Sequence, residues 1–88
     1  MKTILFYWSK GSDTRRTLIR IIAECERQSE ACYLNLIAEK LKLSHVAIKK
    51  HLDVLLEEQY VRILNPGGKP IYLVLTDKGI EVLKEFSP

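Results

Sequence analysis

Five residues near the middle of the 88-residue chain, Ser44, His45, Val46, Lys49 and Lys50, combine types suited to contact with a polyanion. Lysine ammoniums bind phosphate oxygens or guanine, serine and histidine exchange hydrogen bonds with base edges, and a valine methyl meets the methyl of thymine. All five stand at the head of segment 44–58, where Ile48, Leu52, Leu55 and Leu56 recur at the i, i+4, i+7, i+8 spacing of one buried helical stripe. Ser44 is placed to cap this helix. Val46, Lys49, Lys50, Asp53 and Glu57 fall outside the stripe, so the outer surface is basic at its start and acidic at its end. A polyanion would meet it N-terminus first. Two further cations, Arg62 and Lys69, follow at the root and tip of a segment with hairpin character.

The elements that must position these residues follow from local pattern. Segment 35–43 carries Ile37, Ala38 and Leu41, with Asn35 as cap, and reads as a short helix. Only Lys42 and Leu43 separate it from the next, which is the outline of a helix-turn-helix. Segments 60–64 and 71–75 are β-rich and flank Asn65-Pro66-Gly67-Gly68-Lys69-Pro70, a turn whose glycines allow unusual φ: a hairpin with a basic tip. Upstream, Ser12 or Asp13 caps a helix running to about Gln28, with Leu18, Ile21, Ile22 and Cys25 inward and Arg15, Arg16 and Arg20 on the exposed side. Ala31 to Leu34 is expected as a short strand pairing with the hairpin. Thr76 caps a last helix from Asp77 to about Phe86, with Val82, Leu83 and Phe86 inward, and Ser87-Pro88 ends the chain. Met1 to Trp8 reads first as a strand or extended arm, with a short helix as the alternative, and its Phe6, Tyr7 and Trp8 either cap their own core or pack on another chain.

The run Ile37-Ala38-Glu39-Lys40-Leu41-Lys42-Leu43-Ser44, then Lys50-His51-Leu52-Asp53-Val54-Leu55 and Gln59-Tyr60-Val61, resembles the winged helix-turn-helix regulators of bacteria and archaea. The arsenical-resistance and multiple-antibiotic-resistance repressor types are the nearest pattern. Leu75-Thr76-Asp77-Lys78-Gly79 is similar to the "LT-x-x-G" that follows their wing, and Ser12-Asp13-Thr14-Arg15 to their first-helix entry. The resemblance spans roughly residues 12 to 86, with Lys42 and Gln59 standing where the family often has glycine. It implies an α+β, mainly α, winged helix-turn-helix domain of three to four helices with a small antiparallel β-hairpin wing. It further implies a homodimeric regulator of transcription that binds double-stranded DNA, with 44–58 in the major groove and 60–75 on the backbone or minor groove. The competing function is a winged-helix protein-interaction module without direct DNA readout.

Length and composition bound the rest. Eighty-eight residues with 47% apolar content make one small domain, with residues 1–11 as an arm suited to dimerisation. A net charge of +3 and a pI near 9.0 favour polyanions. No stretch suits an export signal or a membrane span, so a cytoplasmic protein without membrane partner is expected. No nucleophile elbow, phosphate loop or metal-protease motif is present, and His51 and Asp53, two apart on a helix, point in different directions. Neither an enzyme nor a cofactor is expected, and His51 reads as a half-buried packing residue. Cys25 and Cys32 are either a disulfide or two buried thiols, the former being rare in the cytosol outside hyperthermophiles, toward which the Lys, Glu, Arg and Ile-rich composition leans. A metal site on these thiols with His45 and His51 is disfavoured, because the histidines are six apart and share no helix face. The C-x-C of metal-sensing relatives is replaced here by Tyr33 and Asn35.

Overall fold

The computed structural model describes residues 4–86. In chain order they form α1 (Ser12–Arg27), α2 (Leu34–Leu41), α3 (His45–Glu57), β1 (Val61–Ile63), β2 (Leu73–Leu75) and α4 (Asp77–Phe86). The strands pair antiparallel with Val61 opposite Leu75 and Ile63 opposite Leu73. A Cα radius of gyration of 12.1 Å is close to the roughly 12 Å expected of a chain this long. No described helix is long and apolar enough to cross a membrane.

Periodicity explains the packing. Leu18, Ile22 and Cys25 bury one face of α1, and Ile19 joins them with no exposure, while Ile21 is only partly covered. On α3, Ile48, Leu52 and Leu55 are buried and pack the helix against α1, α2 and β1. Val61, Leu73 and Leu75 close the core from the hairpin side. The Ser44 hydroxyl caps α3 by accepting from the Ala47 N–H at 3.1 Å. Thr76 plays the same part for α4, its hydroxyl accepting from Gly79 N–H at 3.0 Å. Val82 is buried on α4 while Leu83 and Phe86 are half-buried.

Several expectations are corrected. Residues 31–33 form no strand: a single bond, Leu73 N–H to Cys32 O at 2.8 Å, replaces a third ladder, and the sheet has two strands. Leu34 already opens α2, so Asn35 lies inside the helix, and the cap position belongs to Tyr33. Gly11, at φ 87°, rather than Ser12 or Asp13, occupies the cap position of α1. Residues 4–10 are a series of turns and bends, neither strand nor helix; the arm's first three residues, like Ser87 and Pro88, lie outside the described residues. Phe6 is fully buried in the molecule's own core, between Tyr60 at 5.0 Å and Phe86 at 5.5 Å, whereas Trp8 is 79% exposed. Of the two alternatives open for Cys25 and Cys32, the structure has the buried free thiols. Burial pushes the Cys32 thiol up, helped by its hydrogen bond to Cys25, which keeps it protonated.

The two polar-for-glycine departures are resolved by backbone geometry. Lys42 (φ 55°) and Gln59 (φ 65°) both adopt the left-handed conformation that favours glycine. After α3, the Tyr60 N–H reaches back to Leu55 O at 2.9 Å, the long-range bond of a Schellman ending. The helix ends are therefore shaped as glycine would shape them.

Gly79 has a different reason to be glycine. An added Cβ would sit 2.1 Å from Tyr60 O, because α4 begins against the backbone leading into β1. Helix propensity alone would favour alanine by about 1 kcal/mol. Overpacking against immobile backbone is expected to reverse that sign, so Gly79→Ala should lose about 1–3 kcal/mol, read as a lowered denaturant midpoint with an unchanged slope.

Candidate nucleic-acid interface

α3 turns its apolar stripe inward and so leaves its opposite side in solvent. Ser44, His45, Val46, Lys49 and Lys50 are all exposed, Val46 at 74%. They lie together at the first turns of α3 and include a single apolar methyl pair, at the helix end where the Ser44 hydroxyl takes the Ala47 N–H. Lys49 is not free: its ammonium lies 3.0 and 3.2 Å from the two carboxylate oxygens of Asp53, one turn on. Both side chains are more than half exposed, so the pair is readily exchanged for another anion.

The wing is braced from within. The Asn65 side chain accepts from Tyr72 N–H at 2.7 Å and donates to Pro70 O at 3.1 Å, tying the two ends of the loop together. Gly67 adopts φ 81°, and a Cβ on Gly68 would fall 2.1 Å from the Asn65 amide nitrogen. The loop therefore depends on both glycines and presents Lys69, exposed, at its tip. Arg62 is also exposed but does not join the α3 surface directly: it lines an open groove with Gln59, Pro66, Asp77 and Lys78. A smaller apolar recess, about 140 Å³, separates α3 from the wing and is walled by Leu34, Leu52, Leu56, Ile63, Ile71 and Leu73.

The other flank of α3 holds what the residue types concealed. Arg15, expected on an exposed face, is only 8% exposed. Its Nε donates to Leu5 O at 2.5 Å, one terminal nitrogen donates to Ser9 Oγ at 2.8 Å and Lys10 O at 3.2 Å, and the other reaches His51 Nδ1 at 3.2 Å. The signal was present in the spacing, since Arg15 precedes Leu18, Ile22 and Cys25 on the same buried stripe. Arg16 is half-buried and pairs with Asp13 and Phe6 O, while Arg20 is exposed and donates to Phe86 O at 2.9 Å. His51 is half-buried, as expected. Among the described residues no group of three or more His, Cys, Asp and Glu is placed to hold a metal ion.

A guanidinium can only donate, so His51 must accept at Nδ1 and is neutral in this arrangement. Burial, then the positive charges of Arg15 and Lys50, hold its pKa below the ordinary 6.5. At mildly acid pH the unfolded chain therefore binds a proton that the folded one resists, and stability rises with pH across that window. Thermal unfolding should show stability falling as pH drops below about 6.5, before most carboxylates titrate. His51→Gln, which keeps an acceptor but does not titrate, should flatten that part of the profile.

No family profile and no curated protein sequence matches the chain. Solved structures do. A cysteine-to-serine variant of Lactococcus lactis ZitR is 28% identical over 89% of this chain, with a TM-score of 0.72. A doubly substituted apo form of the same protein is 28% identical over 84%, with a TM-score of 0.71. The structure of ZitR described as a zinc-responsive MarR family member is 29% identical over 88%, with a TM-score of 0.69. The chain spans about half the length of these proteins, 51%, 54% and 51% respectively. It has the winged helix-turn-helix fold of the MarR-type regulators that these structures represent.

Proposed function

We propose that the chain is the DNA-reading unit of a cytoplasmic transcription regulator, binding duplex DNA with α3 in the major groove and the wing on the backbone or minor groove. The observation that carries this reading is the exposed, lysine-bearing start of α3 beside a braced hairpin with a lysine at its tip. Ser44 and His45 would meet base edges, Val46 a thymine methyl, and Lys49 and Lys50 phosphates or guanine. Arg62 and Lys69 would hold the backbone from the wing. Likeness to DNA-regulatory MarR-type structures over most of this chain supports the same class.

Binding to duplexes selected from a random pool tests this directly. Lys49→Ala together with Lys50→Ala should weaken binding to all duplexes and flatten the plot of log affinity against log salt by nearly two units, about 0.9 for each phosphate no longer neutralised. Lys69→Ala alone should cost less than the double change. An unchanged slope in the double variant would overturn the role of α3.

In this reading the chain works as a two-fold dimer, held through the N-terminal turns, α1 and α4, with two α3 helices facing half-sites about one DNA turn apart. Support comes from exposed apolar side chains on those elements: Ile4 at 64%, Trp8 at 79% and Ile80 at 41%. Light scattering at micromolar concentration should give twice the 10.2 kDa chain mass, and a monomer there would reject the dimer.

A further inference from the structure

The turn before α1 is pressed onto the side of α3. Gly11 makes this approach possible: at φ 87° an added Cβ would lie 2.5 Å from His51 Cε1 and 3.3 Å from Nε2. Arg15 fastens the contact by holding Lys10 O and Ser9 Oγ on one side and His51 Nδ1 on the other. The result is an open cleft of about 750 Å³ walled by Lys10 and Gly11 from the turn, by Arg15 from α1, and by Lys50, His51 and Asp53 with the apolar Ala47 and Val54 from α3.

The charge in this cleft is mainly positive. Lys10 and Lys50 are exposed and have free ammonium groups to offer, and Arg15 adds a fixed positive charge at the floor. Because Nδ1 accepts from Arg15, neutral His51 carries its proton on Nε2, which supplies a directional donor at the cleft wall. Among the described residues lining it Asp53 is the one anion, and its carboxylate is already engaged by Lys49 at 3.0 Å. Three donors over a fixed cation suit an oxyanion that stays hydrated on its outer side.

We infer that this cleft is a phosphodiester seat: Lys10, the His51 Nε2–H and Lys50 grip one backbone phosphate of the duplex beside the groove that α3 enters. The seat rests on the proposed DNA binding and adds to it a contact from outside the helix-turn-helix and wing. Since the turn and α3 are joined through Arg15, gripping the phosphate fixes the register of α3 without reading sequence.

Lys10 is the residue to change, because only its backbone carbonyl takes part in the Arg15 network and an alanine there keeps that bond. Lys10→Ala should lower affinity three- to tenfold at low salt, equally for cognate and random duplexes, and reduce the salt slope by part of the ~0.9 that one fully released phosphate would contribute. Lys10→Glu should lower it further, with thermal unfolding unchanged in both variants. Wild-type affinity and slope in Lys10→Ala, with the parent chain binding duplex, would overturn the seat and leave the proposed function standing. A parent chain that binds no duplex would overturn both.

Discussion

A guanidinium withdrawn from water sets the geometry on one side of this molecule. Burying a cation costs several kcal/mol unless its donors are met, and Arg15 meets four acceptors drawn from two separate parts of the chain. Three of them belong to the turns before α1 and one to α3, so the residue can be satisfied only when both are in place. The choice of a neutral imidazole as fourth partner matters, because a carboxylate there would cancel the charge that makes the adjoining cleft positive. Removing any one partner would leave part of a buried cation unpaired, a larger penalty than the loss of one ordinary hydrogen bond.

Where an element is strongly periodic, its existence was readable from residue order. α3 has its cap in Ser44, its stripe in Ile48, Leu52 and Leu55, and its exposed start, all implied by spacing. α4 and the hairpin were equally plain, from Thr76 and from the glycine-proline turn. The misreadings have specific causes. Ala31 to Leu34 reads as a strand beside the hairpin, but a single bond from Leu73 to Cys32 O is all that forms before α2 begins at Leu34. Arg15 reads as a surface cation by residue type, although its position on the apolar stripe of α1 turns it inward. The apolar Phe6 and Trp8 were indistinguishable by type, and only the fold separates one that fills the core from one that faces solvent. On the α3 surface, residue types were legible, whereas the Lys49–Asp53 pair and the apposition of Lys10 needed the folded backbone.

The C-terminal ends of α2 and α3 show how a left-handed turn is held by a residue other than glycine. A left-handed conformation in a residue with a Cβ costs roughly 1–2 kcal/mol, and the chain carries that cost at both Lys42 and Gln59. The surrounding bonds hold the geometry anyway: Leu43 N–H to Ala38 O at 3.3 Å before α3, and Tyr60 N–H to Leu55 O after it. Burial of Ile37, Leu55 and Tyr60 on either side supplies the offsetting free energy. Both turns are thus held by backbone bonds and packing without glycine.

Asn65 carries a consequence for the wing beyond its shape. A loop whose ends are cross-linked by one amide has already surrendered much of its backbone entropy on folding. Lys69 consequently arrives at any partner with only its own side-chain rotamers left to lose, so binding there gains from preorganisation and not from the number of bonds made.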